Sequence, residues 1–327
     1  MPPATVRVGL IGCGAIASAV HLRALGRLSG VRVTALADPS PDARDHARRL
    51  APDALAFADA DELLARPDVD AVVVTAPSGL HASLAIATLE TQRHLYLEKP
   101  IASTLEDGRR VAAAARGGLV AVVGFNWRFQ PLVARARELV LAGAIGEVRA
   151  VSTAFCEPGP LPGWKRARAE GGGVLLDLGS HHFDLIHWLL AARVERVEAS
   201  LRSEESDQDS ASVRLFLDDS RVASSFFSFR AARAHSLELF GERGVIRIDR
   251  CARTLSLQGQ RARVATPSVV AWRARALLRS GSEPSWTHLL RRFVDAVRGA
   301  DVELPTLDDG LRSLEVVYAA EQAAASA

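Results

Sequence analysis

Gly12, Gly14 and Ala17 form a Gly-x-Gly-x-x-Ala pattern directly after the apolar run Val6 to Ile11. In this spacing the first glycine permits a tight turn and the second lets the backbone approach a pyrophosphate closely. The third small residue lets a helix pack against the strand, so that the helix N-terminus faces the phosphates. The pattern predicts a dinucleotide site to which Ala15 and Ile16 contribute at the start of the helix. A plain strand-to-helix turn is the alternative.

Asp38 ends the next apolar run, Val31 to Ala37, at about the 20-residue spacing at which an acidic residue holds the adenosine ribose. A carboxylate there accepts hydrogen bonds from the ribose hydroxyls and repels a 2′-phosphate. Pro39 and Ser40 follow it, where an arginine would favour the phosphorylated cofactor. The predicted cofactor is therefore NAD(H) rather than NADP(H), with Arg44 as the residue that could reverse this preference.

Lys99 and Lys165 are the only lysines in a chain whose other basic residues are arginines. A lysine can exchange a proton, whereas a guanidinium stays charged at any working pH. Lys99 follows the apolar run His94 to Leu97, and at the carboxyl end of a central strand its ammonium can polarise an oxygen that undergoes hydride transfer. The alternatives are chance retention and a strand-end pair with Glu98.

The stretch Val174 to Leu190 is predicted to be a helix interrupted near Gly179, and on a helix Asp177, His181 and Asp184 share one face. A carboxylate one turn from an imidazole fixes its tautomer and stabilises its protonated form, as a proton carrier requires. His182 points about 100 degrees away on a helix. The alternative is a helix start in which Asp177 is a cap and His181 lies in the core. A metal site is less favoured, because no cysteine joins the cluster.

The elements around these residues divide the chain in two. Strands alternate with helices up to Val123, which predicts an α/β fold with a doubly wound parallel sheet whose functional loops follow the strands. A run of hairpins then predicts an α+β domain with an open, largely antiparallel sheet. We assign residues 1–123 to a dinucleotide-binding Rossmann domain and residues 124–327 to an α+β domain for substrate binding and oligomerisation. The last helix could pack on the Rossmann domain.

Composition limits the function classes. A net charge of +2 argues against a nucleic-acid partner. No apolar run reaches the roughly 18 residues of a membrane span. Three isolated cysteines indicate a reducing compartment, so the cytoplasm is the predicted location. The basic stretch from Arg261 to Arg279 is either a site for an anionic substrate or, more commonly, a solvated face or subunit contact. Arg230, Arg233 and His235 are further candidates on the same terms.

Four separated motifs carry a family resemblance over essentially the whole chain. They are GCGAIA at 12–17, TAPSGLHASLA at 75–85, EKP at 98–100 and GGGVLLDLGSHHFDLIHWL at 171–189. With these motifs the sequence resembles the Gfo/Idh/MocA family of oxidoreductases, which includes glucose-fructose oxidoreductase and inositol dehydrogenase.

The resemblance implies roles for particular residues. Lys99 matches the lysine beside the nicotinamide and substrate, His181 removes or returns the hydroxyl proton, and Asp177 orients it or touches the substrate. Further cofactor contacts are implied for Ala76, Pro77, Ser78, His81 and Glu98. Ser78 departs from the family's usual asparagine, and His81 has helix capping as its alternative.

Substrate contacts are implied for Asn126, Arg128, Trp164, Lys165 and Asp184. The alternative for Asn126 and Arg128 is a solvated domain junction, and for Trp164 and Lys165 it is a surface loop.

The implied activity is that of an NAD(H)-dependent dehydrogenase or reductase acting on CH–OH groups. Its substrate would be a secondary alcohol or ketone of a sugar, cyclitol or nucleotide sugar. No metal is implied, and the assembly would be a homodimer or homotetramer. Two rivals stay open: an NAD-retaining glycoside hydrolase of the same fold, and a non-catalytic NAD(H)-binding regulatory protein. Retention of Lys99 and the Asp177/His181 pair counts against the second rival.

Overall fold

The computed structural model describes residues 5–115, 117–218, 220–258 and 284–326. The basic stretch from Arg261 to Arg279 lies outside the described residues. The chain forms two compact units. The first comprises Met1–Asn126 and Ser282–Leu311, and the second comprises Trp127–Gly281 and Arg312–Ala327. The first unit is therefore built from two distant pieces of chain.

A parallel sheet of six strands forms the first unit. Its strands are β1 (Val6–Ile11), β2 (Val31–Ala37), β3 (Leu55–Phe57), β4 (Ala71–Val74), β5 (His94–Leu97) and β6 (Ala121–Val123). They are arranged in the order β3-β2-β1-β4-β5-β6, and every paired neighbour is parallel. The order reverses between β1 and β4, and dinucleotides bind outside the carboxyl ends of the strands at such a switch point. The predicted parallel Rossmann sheet is confirmed.

The free edge of β6 is covered by a segment that returns from far along the chain. The backbone N–H of Val123 donates to the carbonyl oxygen of Pro305 at 3.1 Å. Val122 forms an isolated bridge with Thr306. Gly310 lies so close to this strand that a Cβ there would approach Val123 Cγ2 to 2.8 Å. Residues 305–310 are therefore an integral part of the parallel-sheet unit.

Helices occur in both units. They are α1 (Leu22–Leu25), α2 (Pro41–Leu50), α3 (Ala60–Leu64), α4 (His81–Glu90), α5 (Leu105–Ala114), α6 (Pro131–Leu141), α7 (Ser180–Leu190), α8 (Pro284–Val297) and α9 (Leu307–Ala325). Their starts follow local rules. The side chains of Ser40 and Thr104 accept a backbone N–H three residues on, which satisfies donors that a helix start leaves unpaired.

Two helices open with a π-helical turn, and the second of these turns ends at Gly179, near which an interruption of the helix is predicted. Ala17–His21 precedes α1, and Leu175–Gly179 precedes α7. In a π turn the hydrogen bonds run from residue i to i+5, and such turns are frequent at functional sites. Asp177 lies within the second turn, whereas His181 lies in the regular helix that follows. The spacing of these two residues is therefore not that of a continuous α-helix.

A seven-stranded sheet forms the second unit. Its strands are β7 (Val148–Cys156), β8 (Val194–Arg202), β9 (Ser210–Leu217), β10 (Val222–Ser228), β11 (Ala234–Gly241), β12 (Gly244–Asp249) and β13 (Thr254–Gln258). The order is β13-β12-β11-β7-β10-β9-β8, and only the pair β7–β10 is parallel. Ring contacts from His182 and Phe183 to Phe227 show that α7 packs on one face. The predicted open, largely antiparallel sheet is confirmed.

Candidate active site

The two glycines after β1 have different surroundings. Gly12 has a φ of +91°, and a Cβ there would lie 2.5 Å from the backbone nitrogen of Ala76, so only glycine fits. At Gly14 a Cβ would meet no heavy atom of the described residues within 4 Å. The helical turn begins at Ala15, directly beyond this open space. The loop therefore has the shape that a dinucleotide pyrophosphate requires at a helix N-terminus.

Asp38 is fixed across the glycine loop. Its Oδ2 accepts the backbone N–H of Cys13 at 2.7 Å, and its Oδ1 accepts that of Ser40 at 2.8 Å. Each carboxylate oxygen keeps further acceptor capacity for a ribose hydroxyl. Arg44 Nη1 donates to the carbonyl oxygen of Asp38 at 2.6 Å, which holds its guanidinium at the backbone. Burial, together with the charge of Asp38, raises the pKa of the Cys13 thiol to about 12.

His81 joins the loops that follow β4 and β5. Its Nδ1 lies 2.6 Å from the carbonyl oxygen of Pro100, and its Nε2 lies 2.9 Å from that of Ala76. The side chain is buried, and burial lowers the pKa of His81 against the opposing effect of both carbonyls. Both ring nitrogens therefore face protein carbonyls. Of the other predicted contacts in this loop, Pro77 is exposed and Ser78 is buried.

Glu98 faces the protein interior, where it contacts a histidine that sequence reasoning missed. Its Oε1 lies 2.7 Å from Nε2 of His21, and its Oε2 accepts the backbone N–H of Lys99 at 3.2 Å. Burial alone would raise the pKa of Glu98, but the hydrogen bond and charge of His21, with the charge of Lys99, hold it below its ordinary value. The signal available in the sequence was a histidine four residues after Ala17 in a largely apolar helical stretch.

In the second unit Asp177 pairs with Lys165. Lys165 Nζ lies 2.7 Å from Asp177 Oδ2, and both side chains are partly buried. The glycines of Gly171 to Gly173 make this possible, since a Cβ at Gly172 would lie 2.3 Å from the carbonyl oxygen of Lys165. Trp164 adds its ring at 5.5 Å from the same ammonium. Three predicted site residues therefore come together here.

The predicted polar residues after β6 are buried and paired. Arg128 contacts Asp184 through two hydrogen bonds, Nε to Oδ2 at 2.9 Å and Nη2 to Oδ1. Their side chains are 5% and 2% exposed. Asn126 Nδ2 donates to Ser285 Oγ at 2.7 Å within the first unit. The alternative of a solvated junction is therefore wrong for both Asn126 and Arg128.

His181 stacks on the ring of Trp127, with centroids 4.5 Å apart and planes 7° from parallel. The guanidinium carbon of Arg250 lies 3.8 Å from the centroid of the same indole. His182 is buried edge-on to it, and burial with the charge of Arg250 lowers the pKa of His182 to about 3. Trp127 and Arg250 were not predicted. Their signal would have been an aromatic beside Asn126 and an arginine at a strand end.

Of the remaining predicted candidates, His235 contacts Trp127, with ring centroids 5.7 Å apart. Glu157 contacts both Arg233 and His235 Nε2, the latter at 3.0 Å. Arg230 pairs with Glu205 at 2.6 Å. Among the residues that the structure describes, no group of three or more His, Cys, Asp or Glu could hold a metal ion, and no helix is long and apolar enough to cross a membrane.

The strand order, the glycine turn and the carboxylate at the end of β2 define a dinucleotide-binding protein of the Rossmann class. Comparison with family models then gives the particular family. Residues 6–125 match the GFO/IDH/MocA oxidoreductase family with its NAD-binding Rossmann fold, and residues 133–247 match the GFO/IDH/MocA C-terminal domain. The chain belongs to the GFO/IDH/MocA family of oxidoreductases. The predicted family, enzyme class and NAD cofactor are confirmed.

Individual relatives agree with this assignment. The chain is 34% identical to dTDP-3,4-didehydro-2,6-dideoxy-alpha-D-glucose 3-reductase of Saccharopolyspora spinosa, over 75% of each protein. It is 27% identical to Myo-inositol 2-dehydrogenase of Thermotoga maritima, over 97% of this chain and 96% of the relative. Among solved structures, GenD2 from gentamicin A biosynthesis in complex with NAD has a TM-score of 0.82 and 26% identity, covering 99% of this chain and 95% of that one.

Proposed function

We propose that this oxidoreductase transfers a hydride between NAD(H) and a secondary alcohol or ketone of a sugar, cyclitol or nucleotide sugar. The observation that carries the proposal is Lys99 at the carboxyl end of β5, two strands from β1 in the sheet that holds the glycine loop. The named substrates of the Saccharopolyspora and Thermotoga relatives, a dTDP-linked sugar and an inositol, support the substrate class.

The first unit has residues suited to hold the cofactor. When bound, NAD supplies the carbon that accepts or gives the hydride. Gly12 makes the tight turn against Ala76, the open space at Gly14 would leave room for the pyrophosphate, and the amides of the helix that starts at Ala15 would face its negative charge. Asp38, fixed by two backbone N–H groups, would accept hydrogen bonds from the ribose hydroxyls. A 2′-phosphate would be repelled by the same carboxylate, which supports NAD(H) over NADP(H).

Lys99 and His181 assist the proton transfer. The ammonium of Lys99 stabilises negative charge that develops on the substrate oxygen as hydride leaves or arrives. A neutral His181 accepts the hydroxyl proton in oxidation, and the imidazolium returns it in reduction. The stack on Trp127 restricts the imidazole to one plane, which favours a fixed proton path.

The polar partners of His181's helix divide into two kinds. Asp177 and Lys165 form a pair that keeps partial exposure, and with Trp164 they are suited to contact substrate hydroxyls. Arg128 and Asp184 are almost fully buried against each other. We propose that the second pair holds α7, and therefore His181, rather than touching the substrate.

The test begins with fluorescence titrations of NADH and NADPH. A panel of sugars, cyclitols and nucleotide sugars is then followed at the absorbance band of reduced nicotinamide. We expect NADH to bind more tightly and at least one substrate to change the absorbance. Lys99→Met and His181→Asn should abolish that change, whereas His46→Asn, at an exposed position on α2, should not.

Two outcomes would contradict the proposal. NADH binding with glycoside cleavage and no net absorbance change would establish the NAD-retaining hydrolase. NADH binding without turnover of any kind, unaffected by Lys99→Met, would establish a regulatory binder.

We also propose a homodimer or homotetramer assembled through the sheet face opposite α7. Alternate residues of the central strands, including Ser152, Ser212 and Ser224, are small and exposed, and Phe226 among them is 40% exposed. A sheet face with small exposed side chains and an exposed aromatic ring suits a symmetric contact with a second copy. Light scattering should give a multiple of the chain mass, and Phe226→Glu should reduce it. The cytoplasm is the proposed compartment, consistent with free Cys13, Cys156 and Cys251.

A further inference from the structure

We propose that two buried histidines, His21 and His81, hold Lys99 from its two sides and act as positioning residues. His21 acts through Glu98, the residue before Lys99, and His81 acts on Pro100, the residue after it. The assignment of Lys99 to catalysis rests on the proposed function. The hold itself is a property of the first unit and can be tested without any substrate.

On the amino-terminal side, His21 has one hydrogen bond among the described residues, from Nε2 to Glu98 Oε1 at 2.7 Å. Its Nδ1 is buried and has no hydrogen-bond partner there. Leaving a polar atom unpaired in the interior opposes stability. Buried polar atoms without a hydrogen-bond partner are typical of functional sites. The position is therefore better explained by what His21 does to Glu98 than by packing alone.

Glu98 transmits that contact to Lys99. With Oε1 held by His21, its Oε2 turns back to accept the backbone N–H of Lys99 at 3.2 Å. The carboxylate is also confined by Gly124, where a Cβ would lie 3.0 Å from Oε2 and 3.2 Å from Oε1. Glu98 is thus held at both oxygens and along one side. This fixes the direction in which the backbone leaves β5 and the point from which the Lys99 side chain starts.

On the carboxyl-terminal side, His81 lies between two carbonyl oxygens, that of Pro100 at 2.6 Å and that of Ala76 at 2.9 Å. Ala76 in turn lies against Gly12 of the glycine loop. His81 therefore connects the backbone after Lys99 with the loops that are proposed to hold the cofactor. Loss of His81 should disturb the cofactor as well as Lys99, whereas loss of His21 should disturb Lys99 alone.

The composition of the chain allows a direct test. Because Lys99 and Lys165 are the only lysines, protein labelled with [15N]lysine gives two backbone amide signals. Lys99→Arg removes one and so assigns both. The Lys99 amide is bonded to Glu98, whereas the Lys165 amide is bonded to the carbonyl of Pro162 at 3.0 Å. Glu98→Gln and His21→Leu should move the first signal and leave the second in place.

The same variants are then compared by kinetics on the best substrate from the panel. We expect His21→Leu and Glu98→Gln each to lower kcat about 10- to 100-fold, since small misplacements of a reacting group have effects of this size. The Kd for NADH should stay within about twofold for His21→Leu, because the hydrogen bond of His21 goes to Glu98 and not to the glycine loop. The double variant should be no slower than the slower single, because the pair acts as one unit.

His21→Gln keeps an N–H donor of similar reach and should restore most of kcat and the Lys99 signal. His81→Leu should lower kcat and weaken NADH binding together. His94→Gln is the matched control, since His94 lies at the other end of β5 and bonds the backbone N–H of Val120 at 2.9 Å. It should leave kcat and both amide signals unchanged.

A Lys99 signal that stays in place in folded His21→Leu and Glu98→Gln would overturn the proposal. The proposal would also be overturned if these variants shift the Lys99 amide signal but keep the wild-type kcat, while Lys99→Met inactivates the enzyme. If the wild-type protein turns over no substrate, the proposed function fails, while the two amide signals still decide whether the histidines hold Lys99.

Discussion

Replacing Asp184 by asparagine should strongly destabilise the second unit. Asp184 and Arg128 are bonded twice and their side chains are 2% and 5% exposed, so the variant leaves the guanidinium buried without its counter-charge. Removing one partner of a buried ion pair costs about 3–5 kcal/mol. That is a large part of the roughly 5–15 kcal/mol that holds a typical domain folded.

The assay is urea unfolding followed by tryptophan fluorescence, since Trp188 lies 5.8 Å from the Arg128 guanidinium and reports on this region. The control is Glu138→Gln, which breaks the exposed pair with Arg135 on α6 and should change the free energy of unfolding by less than about 1 kcal/mol. Replacing both buried partners, Arg128→Met with Asp184→Leu, should recover most of the loss, because no isolated charge then remains.

One result would refute this reasoning. If Asp184→Asn unfolds within about 1 kcal/mol of the wild-type protein but raises KM with kcat unchanged, Asp184 binds substrate and its pairing with Arg128 does not hold α7. A decrease in kcat that follows the loss of stability, with the double variant restoring both, would support the positioning role.

Three further outcomes follow from the geometry. Gly12→Ala should destabilise the first unit, since its Cβ would lie 2.5 Å from the backbone nitrogen of Ala76. Gly14→Ala should leave the melting temperature unchanged and weaken NADH binding. Calorimetry measures the first effect and an NADH titration the second. Burial and the charge of Arg250 lower the pKa of His182 from 6.5 to about 3. The free energy of unfolding should therefore decrease by about 1.4 kcal/mol per pH unit as the pH drops from about 6.5 toward 3, because only the unfolded chain binds the proton there. Urea unfolding at a series of pH values should show a shallower decrease for His182→Phe. Cys251 is exposed while the other two cysteines are buried, so a thiol reagent should modify one cysteine rapidly, and two rapid equivalents would contradict the described packing.

The sequence predicted most of the first unit because its signals are local. Val6–Ile11, Val31–Ala37 and His94–Leu97 are short, largely apolar runs, and each forms a strand with the predicted bounds. The glycine pattern and Asp38 each follow one of these strands directly, so their positions depend on the local backbone. Residue type and short-range spacing are sufficient to recognise such features.

The rest depends on contacts between distant residues. His21 bonds Glu98 across 77 positions, and Arg128 bonds Asp184 across 56, so neither partner is visible from its neighbours in sequence. The π turn at Leu175–Gly179 changes the helical period just before His181, which a fixed spacing of 3.6 residues cannot predict. Which carboxylate faces which cation is therefore decided by the folded chain.

The strip of chain that covers β6 limits how the protein can be divided. A fragment ending at Asn126 would contain all six strands of the parallel sheet but would lack Pro305 and Thr306. The outer side of β6 would then present unpaired N–H and C=O groups, a surface on which strands from other molecules add readily. Such a fragment should aggregate, whereas a fusion that joins residues 1–126 to 284–311 through a flexible linker keeps the cover in place and is the better minimal cofactor-binding protein.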